Sequence, residues 1–435
     1  MYSDGNVKTE ILDPQAHRSF ARTVFNLDSR HGAYLTNLRL TNLGFFGTNT
    51  NSAEYNRLVG VYGMIKSIVL FDGKTELSRL NNVATVLGFK AYNTPHSKLE
   101  ASNRLLSKSE MGKALLGRTI AAEVPASAPI RIGNRLNGAH NKAQDRICPA
   151  TEAASTTLSG WLNLRDCLPL LKNMAVLHTD IFPNLQLQIE YENNVGPLIT
   201  DTRMTGRTQL QPQLVVDVVQ NEGLRQQLKG ALSQVVWNEV EGDRFLVSGV
   251  GTGAAANVQT TQAKLNGFNS KVVGRMYVLN SMQGDALNID GNSVLTYGRF
   301  NSPSMVRQAC QFRVNGKNKI PRNGLTKPNQ RLSLVTDTFG DCASVPCQNY
   351  MASAAAGRID VVDKADDGNN YHPMHDTTGL FIGERVEDLQ IEYKRTTVND
   401  STTALAENAD LIVEVFAEVR KMLSFSNGAY DIGYM

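Results

Sequence analysis

Leu187-Gln188-Ile189-Glu190-Tyr191 reads LQIEY, and the same five letters return at Leu389-Gln390-Ile391-Glu392-Tyr393. Two further pairs of strings flank the copies in the same order. Upstream, Asp72-Gly73-Lys74-Thr75-Glu76-Leu77-Ser78-Arg79 matches Asn315-Gly316-Lys317-Asn318-Lys319-Ile320-Pro321-Arg322. Downstream, Leu214-Val215-Val216-Asp217-Val218-Val219 matches Leu411-Ile412-Val413-Glu414-Val415-Phe416. Three matched pairs in one order mark an internal duplication, two copies of one β-rich unit fused head to tail. Superposing the units is expected to bring Leu187–Tyr191 onto Leu389–Tyr393 and Asp217 onto Glu414.

The spacings give the anatomy. The upstream strings start 243 residues apart (72 and 315), the LQIEY strings 202 apart (187 and 389), and the downstream strings, aligned on their acid, 197 apart (217 and 414). The first unit therefore carries 41 more residues between its first two landmarks (243 against 202). An excess of that length belongs in a loop, because inserting it into a paired strand would break the ladder. Residues 94–150 fit: they are rich in Ala, Ser, Asn, Gly and Pro and hold no sustained strand pattern. The expected division is 1–225 for the first unit, with the insertion at about 94–150, and 226–435 for the second. A polar, briefly helical stretch from Asn221 to Gln234 marks the boundary.

Strand periodicity dominates both units. Leu185, Leu187, Ile189 and Tyr191 alternate with Gln186, Gln188 and Glu190, the pattern of a half-buried strand. Leu214 to Val219 is apolar on both faces except for Asp217, so both faces are expected to be covered, with the acid setting register or satisfying a neighbouring loop. Phe20 to Leu27, Tyr34 to Leu43 and Val59 to Phe71 read as strands, the last stopped by the Asp72-Gly73 turn. Leu77, Leu80, Ala84 and Leu87 recur at spacings of three and four, which predicts a helix. Leu158 to Leu164 reads as a strand and Arg165 to Leu171 as a short helix or turn. The second unit opens with Val235-Val236-Trp237, then Arg244 to Val247, with later strands near Val272–Leu279 and Cys310–Val314. Polar or small-residue loops fall at Gly249–Ala256 and Asp360–Asn370. Many short strands between Gly, Asn and Pro turns indicate an all-β sandwich architecture rather than a parallel α/β sheet.

The chain has 435 residues, 41% hydrophobic and 20% charged, with a formal net charge of +3. That charge is too small to argue for nucleic acid. A local excess of nine Lys/Arg over four Asp/Glu lies between Lys98 and Arg146; it reads as a solvated loop or a contact with an acidic partner. No apolar run approaches the roughly 20 residues a bilayer span needs. The start, Met1-Tyr2-Ser3-Asp4-Gly5, lacks the apolar core of a secretory signal. Cys148, Cys167, Cys310, Cys342 and Cys347 form no CxxC pair, which speaks against a disulfide framework and a zinc site and for a reducing compartment.

Few motifs could carry chemistry. Gly249-Val250-Gly251-Thr252-Gly253-Ala254 fits GxGxxA. A dinucleotide fold would need a helix starting there and an acid about 20 residues on. The following Ala255 to Thr261 is a poor helix, and Phe245 to Gly284 holds no Asp or Glu, so the string reads as a loop. His372 and His375 with Asp376 enclose Pro373, which spoils one-face helical ligation. Asp363, Asp366, Asp367, Gly368 and Asn369 have the composition of a calcium loop without its alternate-residue spacing, so they read as a polar turn. The carboxylate pairs Glu190/Glu192 and Glu387/Asp388 read as solvated acids. Trp161 and Trp237 sit beside apolar strands, where core packing is the default. No nucleophile elbow is present. The expectation is no catalytic residue, no metal site and no cofactor.

Duplicated β units of this size resemble the double jelly-roll major capsid proteins of the adenovirus-hexon lineage, and most of all those of polinton-like viruses and virophages. Leu168-Pro169-Leu170-Leu171 followed by Leu185 to Ile189 is similar to the helix-then-strand segment of the first jelly roll. Leu214 to Val219, followed by Glu222 and Arg225, resembles that jelly roll's last strand and the turn after it. Ile65 to Phe71 ending in Asp72-Gly73 fits as well, and Asn427-Gly428-Ala429-Tyr430-Asp431 looks like the closing segment. The chain departs from the large-virus members in the details of the helical segment.

The resemblance implies an all-β fold of two tandem jelly-roll β-sandwiches with short helices and long inter-strand loops. It implies a major capsid protein whose homotrimers form pseudo-hexagonal capsomers tiling the icosahedral shell of a double-stranded DNA virus. Partners would be the chain itself, neighbouring capsomers, and penton and minor capsid proteins; contact with an inner membrane or genome stays open. The location implied is the virion, assembled inside the host cell without a signal peptide. The alternative is a two-domain jelly-roll glycan-active hydrolase or glycan-binding protein. The first needs a carboxylate pair in a cleft; the second needs exposed aromatic platforms.

Overall fold

The computed structural model describes residues 6–27, 32–47, 53–54, 64–83, 86–87, 147–148, 160–191, 207–248, 258–282, 307–320, 378–396, 411–426 and 429–435. Strands of the first half are β1 (Val7–Leu12), β2 (Ala16–Arg18), β3 (Arg22–Asn26), β4 (Ala33–Leu35), β5 (Arg39–Leu43), β6 (Phe45–Gly47), β7 (Ala53–Glu54), β8 (Ile65–Asp72), β9 (Thr75–Asn81), β10 (Ile147–Cys148), β11 (Gly160–Asn163), β12 (Val176–His178), β13 (Leu185–Tyr191), β14 (Arg207–Gln209) and β15 (Gln213–Val219). The second half carries β16 (Val235–Val247), β17 (Val258–Lys264), β18 (Lys271–Met282), β19 (Arg307–Val314), β20 (Lys317–Asn318), β21 (Thr378–Val386), β22 (Leu389–Thr396), β23 (Leu411–Ser426) and β24 (Ala429–Tyr434). Two helices matter below, α1 (Leu170–Asn173) and α2 (Glu222–Gly230).

Each half builds two large antiparallel sheets, and the first adds the small pairs β7-β10 and β6-β14. In the first, β11-β5-β15-β4-β12 form one sheet, with β1 on the other edge of β15, and β2-β3-β13-β8-β9 form the second. In the second half, β16-β23-β18-β21 with β24 form one sheet and β17-β22-β19-β20 the other. Among the described residues no strand of one half pairs with a strand of the other. The halves repeat one plan: β3-β13-β8-β9 corresponds to β17-β22-β19-β20, and β15 between β1 and β4/β5 corresponds to β23 between β16 and β18.

Alternation explains the layers. Along β13 Leu185, Leu187, Ile189 and Tyr191 are buried and Gln186, Gln188 and Glu190 half-buried. The buried set joins Phe25, Ile68, Leu70, Leu214, Val216 and Val218 in the first core. Leu389, Ile391 and Tyr393 join Phe312, Val278 and Val415 in the second. On β15 every residue after Gln213 is buried, so both faces are covered as the sequence implied. Helix α2 accounts for part of this: Leu224 and Leu228 pack on the Ala33, Val176 and Val219 patch. That helix starts at Asn221, whose side-chain oxygen accepts from the Leu224 amide at 3.0 Å, an ordinary N-cap. The 225/226 boundary drawn from sequence falls inside α2.

Two expectations need correction. The helix drawn through Leu77 and Leu80 is the strand β9, paired back on β8 through the Gly73-Lys74 turn, where Gly73 has φ 57°. Leu70 faces Ser78 while Phe71 faces Glu76, so Leu77 is the extra residue of a β-bulge. A bulge brings two successive residues to one side. Leu77, Ser78 and Leu80 are therefore buried together, and a spacing of three imitates a helix. Helical bonding begins only at Asn82, whose carbonyl accepts from Val86 at 3.0 Å; Ala84 lies outside the described residues.

The second correction concerns register. Leu185 lies opposite Asp72 at the end of β8, and Leu389 opposite Val314 at the end of β19. The structural partner of Leu389 is thus Leu185, not Leu187, and the two LQIEY strings are out of step by two residues. A slip of two leaves every side chain on its own face, so Tyr191 and Tyr393 are both core residues, at 3% and 1% exposure, without being equivalent. Asp217 and Glu414 do lie on corresponding strands, opposite Thr9 and Arg244 respectively.

The separate strands expected at Val235–Trp237 and Arg244–Val247 are one continuous strand, β16. Residues 94–146 lie outside the described residues, while Ile147 and Cys148 pair with β7.

Candidate functional site

Most of the residues that composition singled out lie beyond what the structure describes. Gly249–Ala254, Asp363, Asp366, Asp367, Gly368, Asn369, His372, His375, Asp376 and Glu192 lie outside the described residues, as does the side chain of Trp161. Trp237 is 1% exposed and belongs to the first core. Glu190 accepts from Ser67 Oγ and Gln188 Nε2, each at 3.2 Å, on the polar face of β13. Glu387 and Asp388 sit in a tight connection between β21 and β22. Asn315 Oδ1 accepts both their amides, at 2.8 and 3.2 Å, while Arg385 pairs with Glu387 and Lys264 with Asp388. These acids organise a turn. Among the described residues no group of three or more His, Cys, Asp or Glu is arranged to hold a metal.

One side-chain chain does look catalytic in composition. His17 Nδ1 lies 2.8 Å from Thr23 Oγ1, which lies 2.9 Å from the Tyr191 hydroxyl. Its burial denies it that role: Thr23 is fully buried and Tyr191 nearly so. Burial pushes the Tyr191 phenol well above its ordinary pKa, and the bonds from Thr23 and Gln209 offset only part of that. A nucleophile needs an approach for substrate, and this threonine has none.

Asp217 is a register tooth. Its carboxylate accepts from Thr9 Oγ1 at 2.6 Å, from Asn37 Nδ2, and from Arg39 Nη2 at 3.0 and 3.1 Å. It ties β1, β5 and the β4–β5 connection to the middle strand of the sheet.

The chemistry of most interest lies where the two halves meet. Trp237, Val240, Phe416 and Leu423 of the second half are members of the first half's core cluster. Phe182 of the first half packs on Phe425 and Tyr430, with ring centroids 6.1 and 4.9 Å away. Polar bonds cross the same seam. Tyr430 donates to Asp72 at 2.8 Å, Asn173 Nδ2 to the Val236 carbonyl at 3.0 Å, and Ser78 Oγ to Glu239 at 2.6 Å. Glu239 is 1% exposed and pairs with Lys421 at 2.6 Å. A cavity of ≈ 360 Å³ opens along the seam between Asn81 and Asn82 on one side and Asp243, Arg244, Glu414 and Phe416 on the other. Sequence reasoning missed this seam. Its one legible signal was β23, where Phe416 stands on the face that also carries Glu414 and Glu418, opposite the apolar face of Val413, Val415, Ala417 and Val419.

Other large apolar side chains point outward: Ile11 at 62% exposure, Leu246 at 47% and Phe381 at 63%. Each lies on a strand that pairs along one side only among the described residues, β1, β16 and β21.

No protein-family model matches the sequence, and no curated protein matches it. Solved structures do match, over nearly the whole chain. A chain of the Sputnik virophage aligns with a TM-score of 0.55 at 10% identity, covering 100% of this chain and 89% of its own. The Faustovirus major capsid protein aligns at 0.52 and 8% identity, covering 98% of this chain and 92% of its own. The mavirus major capsid protein aligns at 0.51 and 10% identity, covering 98% and 90%. The fold of this chain is the double jelly roll of these virophage and giant-virus proteins.

Proposed function

We propose that this chain is a major capsid protein that acts by assembly and not by catalysis. The observation that carries the reading is the whole-length agreement with capsid proteins: both sandwiches, in tandem, with little of either chain left over. Three copies would place six sandwiches in a ring, a pseudo-hexagonal block able to tile an icosahedral shell of a double-stranded DNA virus. The protein would then reside in the virion, with its own copies, penton and minor capsid proteins as partners.

The surface supports this reading. Ile11, Leu246 and Phe381 stand exposed on open strand edges, and such features are covered in stable assemblies. The carboxylates that the sequence paired support it too, since Glu190, Glu387 and Asp388 are engaged in strand and turn contacts.

The test is the particle. Three subunits of 47.7 kDa give about 143 kDa. Light scattering at micromolar concentration should return that mass, and micrographs should show pseudo-hexagonal particles. A monomer under native conditions overturns the proposal.

A further inference from the structure

Glu239 makes one carboxylate serve both halves of the molecule. Its Oε1 accepts from Ser78 Oγ at 2.6 Å and from the Arg79 amide, both on β9 of the first sandwich. Its Oε2 meets Lys421 Nζ at 2.6 Å, on β23 of the second. A second layer surrounds the pair. Lys421 lies 4.0 Å from Glu241 and 4.9 Å from the Tyr434 ring centroid. Lys271 bonds Glu241 at 2.6 Å and sits 4.3 Å from the same ring. Tyr434 donates to Glu241 at 2.7 Å.

Burying such a pair is a poor way to gain stability, because desolvation offsets much of the attraction and apolar replacements are often neutral or better. Adhesion at this seam already has a source in Trp237, Val240, Phe416 and Leu423. Apolar adhesion is non-directional, however, and tolerates sliding and rocking. The carboxylate does not. Two donors on β9 must meet one oxygen, and a shift of β9 along β16 by one residue loses both while leaving a charge buried. We propose that the Glu239 carboxylate, charge-balanced by Lys421, is an orientation lock, fixing the angle and register of the second sandwich on the first. The lock belongs to the isolated subunit and stands or falls independently of the capsid reading.

The experiment uses the full chain, with a donor and an acceptor dye carried on encoded unnatural amino acids at Lys66 and Gln262, exposed positions of the two sandwiches. Single-molecule energy transfer then reports the spread of inter-sandwich geometry, and thermal unfolding reports stability. Glu239→Met with Lys421→Met should hold or raise the unfolding midpoint while the transfer distribution broadens and shifts. Glu239→Gln alone keeps an acceptor for Ser78 and Arg79 but strands Lys421, so the midpoint should fall and the distribution stay narrow. If the double variant does not fold, Glu239→Lys with Lys421→Glu keeps the ion pair and removes the acceptor, and its distribution should broaden. An unchanged distribution in the Met/Met variant, or in the charge-swapped variant where that is the one that folds, overturns the lock, as does a broadened distribution in Glu239→Gln.

Discussion

Leu185 and Leu389 hold the same place in their two sheets. Each gives its carbonyl to the amide of a leucine that ends the neighbouring strand, Leu27 at 3.0 Å and Leu265 at 2.9 Å. Each is fully buried. This pair, rather than the repeated tyrosines, is the structural anchor of the duplication. The two belong to separate core clusters.

Truncation should therefore act twice over, once per sandwich. Leu185→Ala and Leu389→Ala should each cost about 2–5 kcal/mol, the range for opening a leucine-sized cavity in a packed core. Guanidinium titrations should show additive losses, since the sites share no partner. Strong coupling between the two would contradict separate cores.

Much of this fold was legible because strand alternation is local. The pattern from Leu185 to Tyr191 predicted burial residue by residue, and the Asn315-Gly316 turn, with φ 50° and 79°, is the hairpin its sequence announces. The repeated string was legible as a repeat but not as a register. A shift of two satisfies the same alternation, and only the ladder to Asp72 and Val314 decides between them. The bulge at Leu77 misled for the opposite reason: one extra residue converts period two into an apparent spacing of three. The seam was least legible. Ser78, Glu239 and Lys421 are distant in sequence, and each alone reads as an ordinary surface residue.

Acid should loosen the α2 corner through His178. Burial lowers the imidazole's pKa, Lys229 and Arg225 push it the same way, and Asp180 and Glu222 oppose. Nδ1 accepts the Asp180 amide at 3.2 Å, while Nε2 is buried without a hydrogen-bond partner. The native state thus favours neutral imidazole. The unfolded chain takes up its proton near about pH 6.5, before the native state does. Stability is then lost as pH falls from that point towards the lower native value. Melting temperatures recorded between pH 7 and 5 should fall less in His178→Gln than in the parent. Parallel curves would mean that the acid response resides elsewhere.

Alkali should act on Lys421. Its burial opposes the charge, but the attraction of Glu239 and the hydrogen bond to it prevail, and the ammonium pKa is raised. A raised cationic group contributes its full stabilisation below the unfolded value, about 10.4 for lysine. That contribution fades as pH rises through the native value. The Tyr434 phenol beside it is pushed up to about 12 by burial and by its bond to Glu241, so it stays neutral over the first part of this range. Denaturant midpoints from pH 9 to 12 should decline in the parent above about pH 10 and decline less in a Glu239→Met, Lys421→Met double variant. Equal slopes would remove Lys421 as the cause.

Residues 94–146 should be dispensable for folding and needed for assembly. The described chain next pairs at Ile147–Cys148, against β7. Their composition agrees, since Ala121 to Pro129 offers two prolines and no useful apolar face. Loop closure changes by only about 0.6 kcal/mol per doubling of length, so a short Gly/Ser linker in their place should move the unfolding midpoint little. A connection this long in a compact domain usually has a partner, and its nine Lys/Arg against four Asp/Glu between Lys98 and Arg146 would suit an acidic one. The shortened subunit should therefore fold, give an unchanged far-ultraviolet spectrum, and sediment as a smaller species than the parent. A subunit that fails to fold would place the segment in the core of the first sandwich, and one that assembles as well as the parent would leave the segment without the role assigned to it.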